Sequence, residues 1–128
     1  FVYVDLGASC WSLTQRWTNR SEGARQRSDL AQKRERDLIA CLAYYIGPLV
    51  DQMEPSRFLV VFQWPKRCLG WNCLEIRAWQ EMLQYGAVCD GCAFGLRSSS
   101  GHFVQKPYVF LSNHRTVLQP VGAKARCT

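Results

Sequence analysis

Residues 58–62, Phe-Leu-Val-Val-Phe, form an unbroken apolar run between Arg57 and the trio Gln63, Trp64 and Pro65. A run this short, rich in β-branched and aromatic residues, predicts a strand buried on both faces. Pro65 has no N–H to give to a ladder and marks the strand's end. A chain with such a strand at its middle must cover it on both sides, which points to an α/β layered fold. Ligands of open α/β sheets bind beyond the carboxyl ends of the strands. Gln63 and Trp64 therefore stand where a site is expected. The competing reading has Trp64 and Pro65 simply closing the strand against the next element.

The 128 residues are one domain's worth of chain, and 48% hydrophobic with 20% charged content is enough to build a core. No apolar run approaches the roughly 20 residues that cross a bilayer, and no secretory signal is visible. The expectation is an intracellular protein, nuclear or cytoplasmic, without membrane contact. The chain opens on Phe1 rather than Met, in the middle of an alternating strand-like pattern, as expected of a piece of a longer protein.

The net charge of +6 is unevenly spread. From Gly91 onward the chain holds Arg97, Lys106, Arg115, Lys124 and Arg126 and no Asp or Glu. A one-signed field of this kind attracts DNA or RNA without sequence preference; the plainer alternative is a solvated basic tail. The seven cysteines are an odd number scattered among strand and helix patterns. They read as buried thiols in a reducing compartment rather than as a disulfide framework.

Along the chain, residues 1–6 predict a strand. Residues 7–21 read as a loop whose Trp11 and Trp17 either pin it to the body or present flat faces to a ligand. Residues 24–53 are helical, solvated in the first half and apolar in the second, where Leu38, Leu42, Tyr45, Ile46 and Leu49 share a face. Gly47-Pro48 should kink or end that helix. Residues 74–85 predict a second helix with Gly86 just past its end. Residues 87–89 and 107–111 predict two further strands, separated by a polar turn at 97–102. Helix-length crossovers argue for a three-layer α/β arrangement with a mostly parallel sheet. Residues 57–62 should lie at its centre, flanked in parallel by 1–6 and 87–89. The last strand should form an antiparallel hairpin at the edge.

The residues alone offer two chemistries. Cys68-x4-Cys73, fifteen residues, then Cys89-x2-Cys92 is a spacing able to ligate zinc. The intervening stretch already reads as a helix and a strand, so the expectation is that no metal is held. His102 and His114 both lie in polar stretches with no neighbour marking either as a catalytic base. No phosphate-cradling glycine pattern exists.

Several landmarks run in order along nearly the whole chain: Trp11-Ser12 to Gln15, Phe62-Gln63-Trp64-Pro65, Gly70-Trp71, the stretch Asp-Gly-Cys-Ala-Phe-Gly-Leu from Asp90 to Leu96, and Lys106-Pro107 leading to Ser112-Asn113. Together they resemble the methyltransferase-like domain of mobile-element (retrotransposon) polyproteins, which is itself similar to DNA cytosine-5 methyltransferases. The resemblance implies the carboxyl-terminal half of a Rossmann-like fold, residues 1–128 forming a single partial domain. In the enzymes, a cysteine following the first of these strands attacks the base, and a later glutamate protonates it. Here Gly7-Ala8 takes the cysteine's place, with Cys10 two residues late, and Gln63 stands for the glutamate. An amide can bond a base edge but has no proton to give. The resemblance places Gln63, Trp64 and Lys106 at the substrate. It also assigns the S-adenosylmethionine site to an amino-terminal half that this chain lacks and a full-length parent would supply. The expected function is thus a degenerate, catalytically inactive methyltransferase-like fragment that contacts nucleic acid. The alternatives are a structural or assembly module of a larger polyprotein, and a zinc module.

Overall fold

In a computed structural model, residues 1–7, 9–12 and 21–123 are described. Ala8, Gln15, Trp17, Lys124 and Arg126, singled out above, lie outside them. Strand β1 is Val2–Asp5, helix α1 Glu22–Gln52, β2 Val60–Pro65, α2 Ile76–Met82, β3 Tyr85–Asp90, β4 Pro107–Ser112 and α3 Arg115–Ala123. Short 3-10 turns occupy Ser9–Trp11, Leu69–Asn72 and Gly91–Phe94.

The apolar run is the heart of the sheet, whose order is β1-β2-β4-β3. β1 pairs with β2 in parallel, from Val2 opposite Val60 to Asp5 opposite Gln63. β4 runs antiparallel to both β2 and β3. The expected mostly parallel sheet is therefore corrected to one parallel pair and two antiparallel pairs, without the run of parallel neighbours that a Rossmann-like half requires. β4, expected at the edge, is interior; β3, expected beside β2, is the edge strand. Asn113 supplies the physical reason. Its side chain accepts from the Val60 N–H at 2.9 Å and donates to the Phe58 carbonyl at 2.7 Å. This clamps the carboxyl end of β4 to the start of β2. The β3–β4 connection meanwhile contains no α-helix, only the 3-10 turn Gly91–Phe94, and the two strands pair directly.

Consecutive strand residues point to opposite faces. On one face Val4, Val60, Phe62 and Trp64 pack against Ile39 and Ile46 of α1 and against Ile76, Trp79 and Leu83 around α2. α3 lies against β3 and β4.

α1 begins at Ser21, whose hydroxyl caps the Ala24 N–H. It runs 31 residues, through Pro48, to Gln52. Of the kink or end expected at Gly47-Pro48, the end does not occur there. The buried stripe is also turned from the expected one: Ile39, Leu42, Ala43, Ile46 and Val50 face the core. Leu38, Tyr45 and Leu49 remain 44%, 67% and 40% exposed. The second helix is shorter than predicted, because Tyr85 and Gly86 pair with Ser112 and Leu111 and so belong to β3.

Candidate nucleic-acid interface

Because Gln63 and Trp64 are neighbours on β2, only one of them can face a site on a given side of the sheet. Trp64 faces the core and is completely buried. Its ring meets Trp11, Phe62 and Trp71 edge-to-face at 6.0, 5.8 and 5.5 Å between centroids. Gly70 lies directly on it, since a Cβ there would fall 2.1 Å from the indole. Trp64, expected at the substrate, thus lies buried on the face opposite the groove at Gln63, and its Nε1 has no hydrogen-bond partner among the described residues.

Gln63 faces the other side. Its Oε1 accepts a 2.5 Å hydrogen bond from the Tyr3 hydroxyl. Its amide nitrogen has no hydrogen-bond partner among the described residues, although the side chain is largely buried. It lines an open groove of about 310 Å³ together with Cys89, Gly91, Leu96, Tyr108 and Phe110. The register explains this company. Gln63 lies opposite Phe110, while Pro65 and Cys89 flank Tyr108 from either side, so all of them share one face. Lys106 projects from the entry of β4, its Nζ 5.4 Å from the centroid of the Tyr108 ring. On the hairpin beyond Leu96, the Arg97 guanidinium sits 3.8 Å over Phe103. At the same end, Asp90 accepts a hydrogen bond from Gln105 at 3.1 Å.

Of the residues placed at the substrate by sequence, Gln63 lines the groove, Lys106 reaches it only through the Tyr108 ring, and Trp64 lies on the other face. The structure also separates Cys10 from Gln63. Cys10 is buried within the cluster that holds Trp64, on the opposite face of the sheet. Its carbonyl accepts from the Gln32 side chain at 2.7 Å, and the neighbouring Trp11 indole donates to Glu35. Trp11 therefore pins the loop to α1 instead of offering a free face. Burial first, and the Glu35 carboxylate second, push the Cys10 thiol up to about 12. A thiol so placed stays protonated at neutral pH and is a poor nucleophile.

The four cysteines with zinc-like spacing are dispersed. Cys68 packs in the core cluster, Cys73 flanks it, and Cys89 lines the groove on the far face. Among the described residues no three His, Cys, Asp or Glu side chains gather in a way that could hold a metal ion.

A larger cleft of about 620 Å³ lies between the Ser9–Trp11 turn, the first turns of α1 and Asn72. Residues 13–20, which join Ser12 and Ser21 beside it, are outside the described residues, so its lining is incomplete.

Tyr3, Tyr108 and Phe110 were read from sequence only as strand residues. Their alternation was visible, but which face it served depended on β4 lying next to β2. Compared with known proteins, the chain matches no family model, no curated protein and no solved structure. No helix among the described residues is long and apolar enough to cross a membrane.

Proposed function

We propose that this chain is a methyltransferase-like module without transfer chemistry of its own, and that it contacts single-stranded nucleic acid through the groove at Gln63. The observation that carries the reading is the amide nitrogen of Gln63, which has no hydrogen-bond partner among the described residues and stands in a groove lined also by Tyr108 and Phe110, with the Lys106 Nζ 5.4 Å from the Tyr108 ring. Aromatic rings give sequence-tolerant stacking surfaces for bases. An amide donor meets a base acceptor, and a rim cation meets phosphate. The carboxyl-terminal third adds charge of one sign, since it has basic residues and no acidic side chain after Asp90.

Two features argue against catalysis. Gln63 carries no transferable proton. The Cys10 thiol is held protonated, and it lies across the sheet from Gln63.

The test is fluorescence anisotropy with a labelled single-stranded oligonucleotide, comparing the wild type with Tyr108→Ala and Lys106→Ala. Loss of one stacking contact, worth roughly 1–3 kcal/mol, weakens binding by roughly 5- to 150-fold. Lys106→Ala weakens it less at high salt than at low salt. Binding unchanged in both variants, or no binding by the wild type, contradicts the proposal.

A further inference from the structure

We propose that the hairpin beyond the groove carries a second base-stacking station, the Arg97–Phe103 pair, which grips a single strand again after it leaves Gln63. Such a station presupposes the nucleic-acid reading of the groove and extends it. The hairpin is built on one backbone bridge, Arg97 opposite Phe103. The Ser98 N–H donates to the His102 carbonyl at 2.8 Å, and the Gly101 N–H to the Ser98 carbonyl at 2.9 Å. Gly101 closes the turn at a φ of +83°, a left-handed conformation that glycine enters freely. Residues directly opposite each other on paired strands share a face, which sets the Arg97 side chain beside the Phe103 ring. The guanidinium lies 3.8 Å over the ring centroid, and its Nη1 donates to the Gly101 carbonyl at 2.8 Å. The pair is thus ordered before a ligand arrives, which lowers the cost of binding.

The surface this pair offers is planar, cationic and open. Phe103 is 56% exposed even with the guanidinium over it. Arg97 is exposed as well and forms no ion pair among the described residues, and no acidic side chain follows Asp90. A positive charge beside an open ring suits a ligand that brings both a phosphate and a flat base. Bases stack on guanidinium planes as they do on aromatic rings, and guanidinium N–H groups match phosphate oxygens. The groove already holds one such couple, Lys106 with Tyr108. Leu96, a groove residue, immediately precedes Arg97, and its carbonyl accepts from the Val104 N–H at 3.0 Å. The Arg97–Phe103 pair is therefore the next step of the hairpin beyond the groove wall. Successive strand residues alternate faces, so the pair opens on the hairpin's other face. A strand leaving the groove has to cross the hairpin to reach it, and only an oligonucleotide of several nucleotides engages both stations.

Fluorescence anisotropy with a labelled thymidylate trimer and a labelled decamer separates the two stations. The wild type should bind the decamer more tightly than its larger number of registers alone would give. Phe103→Ala should weaken decamer binding by roughly 5- to 150-fold, the range for loss of one stacked base, and leave trimer binding unchanged. Phe103→Trp should hold the decamer as tightly as the wild type, because a larger ring keeps the stacking face. That variant separates lost stacking from lost folding. Arg97→Ala should also act on the decamer alone, and more strongly at low salt than at high salt. A decamer indifferent to Phe103→Ala, an equal loss for trimer and decamer, or a Phe103→Trp variant as weak as Phe103→Ala overturns the second station alone. A chain that binds neither length overturns it together with the reading of the groove.

Discussion

Tyr3 and Gln63 are 60 residues apart in sequence, and the Tyr3 hydroxyl donates to the Gln63 Oε1 at 2.5 Å across the parallel β1–β2 pair. The bond occupies one end of the amide and turns the other end to the groove. It also ties the short edge strand β1 to the centre of the sheet. Burial, and then the nearby Asp5 carboxylate, raise the Tyr3 hydroxyl above its ordinary value, so it remains a donor at neutral pH.

Tyr3→Phe should cost about 0.5–1.5 kcal/mol of stability, the usual net value of one such bond. It should also weaken oligonucleotide binding, because the amide is no longer held in one orientation. Urea unfolding and anisotropy check the two effects separately. A variant with unchanged stability would mean that the bond does not hold β1 in place.

Gly70 has no room for a methyl group, since its Cβ would overlap the Trp64 ring, whereas Gly23 in the first turn of α1 is exposed and its Cβ position meets only the end of the Arg27 side chain at 3.6 Å. Gly70→Ala should destabilise by about 1–3 kcal/mol or more through overpacking. Gly23→Ala should stabilise by up to about 1 kcal/mol as a helical replacement. Thermal unfolding of the two variants should thus move in opposite directions.

The native Cys10 and Cys68 thiols are pushed up to about 12 and about 11, with burial the first cause for each. An unfolded thiol titrates near the ordinary value of 9.0. Above that value the unfolded chain releases protons that the native state still holds. Stability contributed by these groups is therefore complete below about pH 9 and declines as pH rises towards 11–12. Urea midpoints measured under reducing conditions should fall over this window, and less steeply in the Cys10→Ala/Cys68→Ala variant. An equal slope in both would contradict the assignment.

The Arg36 guanidinium grips Glu75 with three contacts of 2.8–3.1 Å and holds its carboxyl below the ordinary 4.5. The small stabilisation this brings is present above that value and disappears as pH falls through the lowered one. Arg36→Ala should therefore shift the urea midpoint slightly at neutral pH and not at all once Glu75 is protonated. A shift of the same size at both pH values would mean that the side chain acts through packing.

Residues 58–62 were legible as a central strand because five consecutive apolar side chains admit few other uses. Gln63 was legible as a groove residue for the same reason, since it follows that strand. The sheet's hand-over from parallel to antiparallel was not. It rests on Asn113 reaching back to Val60 and Phe58, a contact between residues more than fifty apart that leaves no local periodicity. The phase of α1 was misread because two apolar stripes lie side by side, and Leu42 and Ile46 fit either one. Trp64 was misplaced because a strand end alone does not say which of two neighbouring residues faces solvent.

The most direct measurement is a ¹H–¹⁵N NMR titration of the labelled chain with a single-stranded oligonucleotide. The shifts should concentrate on Tyr3, Gln63, the segment from Cys89 to Leu96, Lys106, Tyr108 and Phe110, weaken with added salt, and spare the Trp11 turn. Shifts confined to α1 or to the Trp11 cleft, or a spectrum that does not change at all, would contradict a nucleic-acid contact at Gln63.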